Sequence, residues 1–139
     1  MEVQINIIAV IAAMLSSMVV GSIWYAQAVF GKPWSKLAKV DMSDKRGNMA
    51  KPLITTLIVS FITAYVLAHL AYVSNQFFGN SLLQDSLMTA FWAWIGFTAA
   101  RFVTHDAFEG RPDKLTLINV SNEFVTIMVM GLIIGLIGI

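Results

Sequence analysis

The sequence predicts an all-α polytopic membrane protein, a bundle of four transmembrane helices with both termini outside. Four apolar stretches are long enough to cross an apolar core of about 30 Å, which needs about 20 helical residues. The chain is 58% hydrophobic and only 12% charged, whereas soluble domains carry about 25% charged residues. All nine Lys and Arg residues fall in two short segments, 32–51 and 101–114. Because cytoplasmic loops retain Lys and Arg, both segments are predicted to be cytoplasmic.

The length of 139 residues allows a single membrane domain, 1–139. The four predicted spans are 3–30, 53–76, 86–107 and 114–139. The loop between the first two spans, 31–52, is basic and is predicted to lie at the membrane interface.

The first span has a rival interpretation as a secretory signal peptide, because Ala26-Gln27-Ala28 resembles a small-residue cleavage site. No Lys or Arg precedes the apolar run, and positive charge follows it instead, from Lys32 onward. The run is also longer than the apolar part of a usual signal peptide. An uncleaved transmembrane helix is therefore the preferred interpretation.

The basic loop is predicted to contain a short helix. Pro33 suits the first turn of a helix, and Trp34, Leu37 and Ala38 then share one face. An apolar face with lysines away from it is typical of a helix in the membrane interface. The preferred interpretation of the positive charges is that they set the topology, with a binding site for anionic lipids as the alternative.

The other three spans are apolar with two interruptions. Residues 53–73 carry no charge, whereas Arg101 interrupts the third span and Glu123 interrupts the fourth. A tight turn joins the third and fourth spans at Gly110, which can adopt the left-handed conformation that ends a helix. The fourth span then continues to Ile139.

Small residues recur at helical spacing in three spans, and such stripes let helix backbones approach closely. The stripes are Ala9, Ala13, Ser17 and Gly21 in the first span, Ala93, Gly96 and Ala100 in the third, and Gly131 and Gly135 in the fourth. They favour packing within the chain, but four spans have few internal neighbours. We therefore expect at least one stripe to serve a homo-oligomer.

A polar layer is predicted inside the membrane, near the cytoplasmic ends of the third and fourth spans. Counting outward from the turn brings four polar residues to one level: Arg101, Asn119, Asn122 and Glu123. A charge at that depth is costly unless it is paired or hydrated, so Arg101 is expected to pair with Glu123 or the two Asn residues. The layer is interpreted as either a structural clamp or a polar binding or proton site.

Two sequence blocks stand out. The first is Trp24-Tyr25 followed by Phe30-Gly31-Lys32-Pro33-Trp34, and the second is Phe108-Glu109-Gly110-Arg111-Pro112 followed by Leu117-Ile118-Asn119. Together they resemble a bacterial membrane-protein family catalogued as domain of unknown function 1761. The positions that carry the resemblance are Trp24, Tyr25, Trp34, Glu109, Gly110, Arg111, Pro112 and Asn119. The resemblance implies a small, four-span, multi-pass protein of the bacterial inner membrane, and it implies no activity. Combined with the cytoplasmic basic loops, this predicts that the N-terminus and C-terminus are periplasmic.

Several chemistries are not expected. The chain has no Cys, which excludes disulfides, a thiolate nucleophile and a Cys-ligated metal. His105 and Asp106 are adjacent, but adjacent helical residues point about 100° apart, so no metal site is predicted. No catalytic residue and no cofactor are predicted. The net charge of only +1 gives no indication of a nucleic-acid partner.

The predicted function is that of an oligomeric, non-enzymatic membrane protein that acts as a scaffold or binds lipid or another hydrophobic ligand. The small-residue stripes, the eight Met residues and the lack of catalytic groups favour it. The alternative is a minimal transporter or channel with Glu123 as its coupling carboxylate. The expected partners are membrane lipids and further copies of the chain.

Overall fold

The computed structural model describes residues 3–40 and 49–139, and every element in these ranges is helical, which confirms the all-α prediction. The elements are α1 (Ile7–Trp24), a π-helical turn (Gln27–Gly31), α2 (Lys32–Ala38), α3 (Ala50–Phe78), α4 (Leu82–Ala93), a π-helical segment (Trp94–Ala99), α5 (Ala100–Glu109) and α6 (Asp113–Ile137). Three of them, α1, α3 and α6, are long and apolar enough to cross a membrane.

Helix α1 is shorter than the predicted span 3–30 because specific residues define both of its ends. The side chain of Asn6 caps its start by accepting from two backbone N–H groups of the first turn, at 3.0 and 3.4 Å. The helix ends at Trp24, and Ala26 is extended, so the chain changes direction before the π-helical turn.

The short helix expected at Pro33 is present as α2, with Pro33 in its first turn. It ends at Lys39, which has a left-handed backbone with φ of 54°. Helix α2 packs against α6. Of the loop predicted over 31–52, residues 41–48 lie outside the described residues.

The third helix is longer than the predicted span 86–107 and is not uniform. The hydroxyl of Ser81 caps it by accepting from the Gln84 backbone N–H at 3.2 Å. Helix α4, the π-helical segment and α5 then follow one another without a break up to Glu109. A π turn closes on the fifth residue instead of the fourth, so α5 presents its residues in a register shifted from that of α4. Gly110, with φ of 63°, ends the helix as predicted.

The long helices pack in a ring, in which α1 contacts α3, α3 contacts α4, α4 contacts α6 and α6 contacts α1. The turns at 79–81 and 110–112 reverse the chain direction. The end of α1, the start of α3 and the turn between α5 and α6 therefore lie at one end of the bundle. We call it the basic end, because the Lys residues at both ends of α2, at the start of α3 and at the start of α6 lie there.

The small-residue stripe of α1 is used for packing inside the chain. Ala9, Ala13 and Ser17 are buried, and the Ser17 hydroxyl bonds to that of Ser60 on α3 at 2.8 Å. At the end of the stripe, a Cβ added to Gly21 would meet nothing within 4 Å. The close packing of α1 within the chain therefore involves the first three members of the stripe and not Gly21.

The two glycines of α6 are likewise used inside the chain, against α4. A Cβ added to Gly131 would lie 2.8 Å from the Cβ of Ala90, and one added to Gly135 would lie 2.6 Å from the Cα of Leu83. The second contact involves backbone, which cannot rotate away. Both glycines are therefore required for α4 and α6 to touch.

Gly135→Ala is expected to lower the free energy of unfolding by about 1–3 kcal/mol, because the added methyl group overpacks the contact with α4. Gly21→Ala is the matched control, since its position is open and the change should raise stability by up to about 1 kcal/mol through helix propensity. Thermal unfolding in detergent micelles measures both. Equal shifts of Tm would contradict the α4–α6 packing described here.

Candidate functional site

Asn119, in the second turn of α6, is where the two sequence blocks meet. Its side-chain Oδ1 accepts a hydrogen bond from the Trp34 indole Nε1 at 3.0 Å and another from the Tyr25 hydroxyl at 3.2 Å. The rings of Tyr25 and Trp34 also contact each other edge to face, with centroids 5.1 Å apart. One amide oxygen therefore ties both the end of α1 and helix α2 to α6.

Two further indoles bond to the backbone on either side of Asn119. Trp24 donates from Nε1 to the carbonyl oxygen of Ile118 at 3.2 Å, and Trp94 donates from Nε1 to that of Val120 at 3.1 Å. A carbonyl oxygen has two lone pairs, so it can accept these bonds in addition to its helical one. Because Trp94 opens the π-helical segment, its bond also fixes the third helix against α6.

We call the four donors the tryptophan collar: Trp24, Tyr25, Trp34 and Trp94. They bond to three consecutive residues, so the collar encloses a single turn of α6. The first three come from the first sequence block, and their acceptors come from the second. The collar therefore gives a physical reason for both blocks to occur in one chain.

Gly31 makes the collar possible. It is buried, its N–H donates to the Ala26 carbonyl oxygen at 2.9 Å, and a Cβ on it would overlap the carbonyl oxygen of Tyr25. Only a residue without a side chain fits this approach of backbone to backbone. The resulting fold-back after α1 brings Trp34 to α6.

An open cleft lies beside the collar, between α3 and α5, with a volume of 550 Å³. Helix α6 contributes Glu123 to its lining, and α5 contributes Arg101 and His105. Its apolar walls include Val59, Phe97 and Phe102. The cleft therefore combines charges of both signs with an apolar surface.

Of the pairings predicted for Arg101, the structure does not contain a direct ion pair with Glu123. Arg101 and Glu123 line the same cleft, but no side-chain nitrogen of Arg101 comes within the 4.0 Å of a Glu123 oxygen that defines an ion pair. The physical reason is the cleft itself, because α5 packs only lightly on α6 and turns Arg101 to the exterior. The two charged side chains therefore line one cleft, and no direct bond between them closes it.

The two asparagines of the predicted layer also lie apart from this pair. The Oδ1 of Asn119 accepts from the collar. Asn122 is only 8% exposed, and its Oδ1 has no hydrogen-bond partner among the described residues. Successive residues of α6 point about 100° apart, so Asn122 and Glu123 face different neighbours. The four residues of the predicted layer therefore lie at a similar height but in three separate environments. Arg101 and Glu123 line the cleft, Asn119 bonds to the collar, and Asn122 faces a third neighbourhood.

Asp106 anchors the turn between α5 and α6. Its side chain is nearly buried, accepts from the Thr116 hydroxyl at 2.6 Å and lies 3.7 Å from Nε of Arg111. Arg111 also pairs with Glu109. The sequence alone does not reveal this role, although counting outward from Gly110 brings Asp106 and Thr116 opposite each other. The charges of the second sequence block therefore stabilise the turn.

Both sequence blocks lie within the region of the chain that matches a known protein family. The family described as Protein of unknown function (DUF1761) matches residues 8–135. The chain belongs to the DUF1761 family. The matched region contains the whole tryptophan collar and all the cleft residues named above, and it confirms the resemblance seen in the sequence. No curated protein and no solved structure matches this DUF1761 chain.

Proposed function

We propose that this DUF1761 protein is a four-span integral protein of the bacterial inner membrane with both termini in the periplasm. Three helices are long and apolar enough to span. The continuous third helix, 82–109, is the proposed fourth span, because at 1.5 Å per residue it extends roughly 40 Å, beyond an apolar core of about 30 Å. The lysines at the basic end support a cytoplasmic position for that end.

Single cysteines test this topology cleanly, because the chain contains no native Cys. We expect a cysteine at Asn80, in the turn between α3 and α4, to react with an impermeant thiol reagent in intact cells. A cysteine at Lys36, in α2, should react only after the membrane is permeabilised. The reverse pattern would overturn the proposed orientation, and labelling of both in intact cells would overturn the four-span arrangement.

The proposed function is the binding of an amphipathic ligand from the membrane in the cleft between α3 and α5. The observation that carries the proposal is that Arg101 and Glu123 line one open, partly apolar cleft without bonding to each other. Its volume of 550 Å³ lies within the range of about 300–1,000 Å³ found for ligand pockets. The fold thus offers charged and apolar contacts to one molecule.

Both charges lie toward the basic end of the bundle and not at its centre. An uncompensated charge costs about 2.5–3.5 kcal/mol at the centre of a membrane helix on insertion scales, and this value is an upper bound for Arg101 and Glu123. A ligand whose polar group reaches Arg101 and Glu123 reduces that cost, and its apolar part can cover Phe102. A ligand that is both polar and apolar therefore fits this cleft better than a purely apolar one.

Arg101→Ala is expected to reduce the retention of co-purified lipid about tenfold or more, because a hydrogen bond to a charged group contributes about 1.5–3 kcal/mol. Native mass spectrometry from mild detergent measures the fraction of protein that carries lipid. Lys36→Ala is the matched control, since Lys36 is exposed at the same end but lies outside the cleft. Equal retention by all three proteins would contradict the proposal.

Glu123 also supports a second candidate, a minimal transporter or channel that uses this carboxylate to couple ions to substrate. The observation that favours it is that Glu123 faces the open cleft, where Arg101 does not neutralise it by direct contact. Flux into liposomes that depends on a proton gradient, and that Glu123→Gln abolishes, would establish transport. Ligand retention without such flux would support the binding function.

Self-association is a further part of the proposal, through the third helix. The stripes of α1 and α6 are largely occupied inside the chain, whereas Gly96 and Ala100 are exposed, and a Cβ on Gly96 would meet nothing within 4 Å. Another helix can approach closely there. A wild-type protein that is wholly monomeric by native mass spectrometry in mild detergent would rule this part out.

A further inference from the structure

A second cavity continues the cleft toward the opposite end of the bundle. It also lies between α3 and the third helix and has a volume of 690 Å³. Its lining is mostly apolar and includes Leu70, Val73, Phe77, Met88 and Trp92, with Asn80, Gln84 and Asp85 at its far end. Phe97, which is 79% exposed, lines both cavities. Together they form one groove, which is charged at the basic end, mostly apolar beyond Phe97 and polar again at its far end.

The length of this groove matches one leaflet of a bilayer. Arg101 and Trp92 are separated by about 14 Å along the helix at a rise of 1.5 Å per residue. Half of an apolar core of about 30 Å is about 15 Å. An acyl chain that begins beside Arg101 therefore passes Phe97 and ends near Trp92 and Leu70.

The charges of the cleft determine which head group fits. Arg111 already has Asp106 and Glu109 as partners, so it contributes little net charge. Within the described ranges, Arg101 and Glu123 form no ion pair. A guanidinium group suits the bidentate binding of a phosphate, and a carboxylate suits an ammonium donor.

Three common classes of lipid head group differ in the bonds that they can form with Arg101 and Glu123. A phosphate with a primary ammonium group complements both Arg101 and Glu123. A quaternary ammonium group carries the charge but has no N–H to donate to Glu123. An anionic head group with no amine offers Glu123 only neutral hydroxyl donors, and its uncompensated negative charge is repelled by the carboxylate.

We propose that the groove holds one phospholipid of the cytoplasmic leaflet whose zwitterionic head group carries a primary amine. Its phosphate lies at Arg101, its ammonium group lies at Glu123, and one acyl chain passes over Phe97. This inference rests on the proposed ligand-binding function of the cleft and names its ligand class.

The test is a competition among lipids with identical acyl chains. Delipidated protein in mild detergent is mixed with equal amounts of phosphatidylethanolamine, phosphatidylcholine and phosphatidylglycerol, and native mass spectrometry measures the lipid bound. We expect a preference of about tenfold for phosphatidylethanolamine, because only this lipid brings a positively charged N–H donor to Glu123. Glu123→Gln should remove the preference, and Arg101→Ala should weaken the binding of all three lipids about tenfold.

Two further variants serve as controls. Lys36→Ala, outside the cleft, should change none of these values. Thr63→Trp places a bulky side chain on the α3 wall of the cleft. It should weaken the binding of all three lipids although both charged side chains are intact. A wild-type Tm for each variant shows that it is folded. Undiminished binding by a folded Thr63→Trp variant would overturn the assignment of the groove.

The outcomes separate this inference from the proposed function. Binding that depends on Arg101 but shows no preference among head groups, or prefers phosphatidylglycerol, overturns the head-group assignment and leaves ligand binding standing. The absence of any Arg101-dependent lipid binding overturns both. A dimer that carries no lipid, seen in the same spectra, would assign the groove to a second copy of the chain and also overturn the inference.

Discussion

Gly31→Ala is expected to lower the free energy of unfolding by at least about 3 kcal/mol. The added Cβ would overlap the carbonyl oxygen of Tyr25 and lie 2.9 Å from the carbonyl carbon of Ala26. These are backbone atoms, so rotation of a side chain cannot relieve the overlap. Relief requires the π-helical turn to open, which displaces α2 and carries Trp34 away from α6.

Thermal unfolding and tryptophan fluorescence in detergent measure this effect together. Gly21→Ala is the matched control, because Gly21 lies in α1 shortly before this turn and has nothing within 4 Å of an added Cβ. We expect the control to keep a Tm at or above that of the wild type and to keep the wild-type emission spectrum. Wild-type behaviour of Gly31→Ala would mean that the chain does not fold back after α1 as described.

Asn119→Ala is expected to lower the free energy of unfolding by about 2–5 kcal/mol, because it removes the acceptor of two hydrogen bonds at once. Tyr25 and Trp34 both donate to this one oxygen, and both bonds are partly buried. A buried donor left without an acceptor costs about 1–3 kcal/mol. The loss should appear as a lower Tm in detergent, together with a shift in tryptophan emission as water reaches Trp34.

A double-mutant cycle separates the Trp34 bond from the general loss of packing at Asn119. Trp34→Phe removes the Nε1 donor, and its effect combined with Asn119→Ala should fall short of additivity by about 1 kcal/mol. Trp92→Phe is the control partner, because Trp92 is 62% exposed and makes no bond to Asn119. Additivity in both cycles would contradict the tryptophan collar.

The helices could be predicted from the sequence because a membrane demands long apolar segments with their backbone groups satisfied internally. Their ends could not be predicted as well, because these depend on single side chains such as the capping residues Asn6 and Ser81. The π-helical segment that begins at Trp94 has no residue signature that distinguishes it from an α-helix. It was therefore absent from the predicted third span.

The candidate site was only partly predictable for a different reason. Counting from the turn at Gly110 is enough to bring Arg101 and Glu123 to one level, since the rise of a helix is fixed. The rotation of each helix about its axis and the distance between helices cannot be counted from the sequence, because they follow from packing across the whole bundle. Rotation and distance decide that the two charges share an open cleft. The bonds of Trp24 and Trp34 join residues 94 and 85 positions apart, and no local pattern specifies such partners.

The central claim is that Arg101 and Glu123 face a ligand cleft and do not neutralise each other. A crystal structure of the protein grown from a lipid phase that contains phosphatidylethanolamine tests it most directly. We predict elongated non-protein density between α3 and α5, with a phosphate at hydrogen-bond distance from Arg101 and an ammonium group at hydrogen-bond distance from Glu123. A direct salt bridge between these two side chains, closing an empty cleft, would contradict the claim.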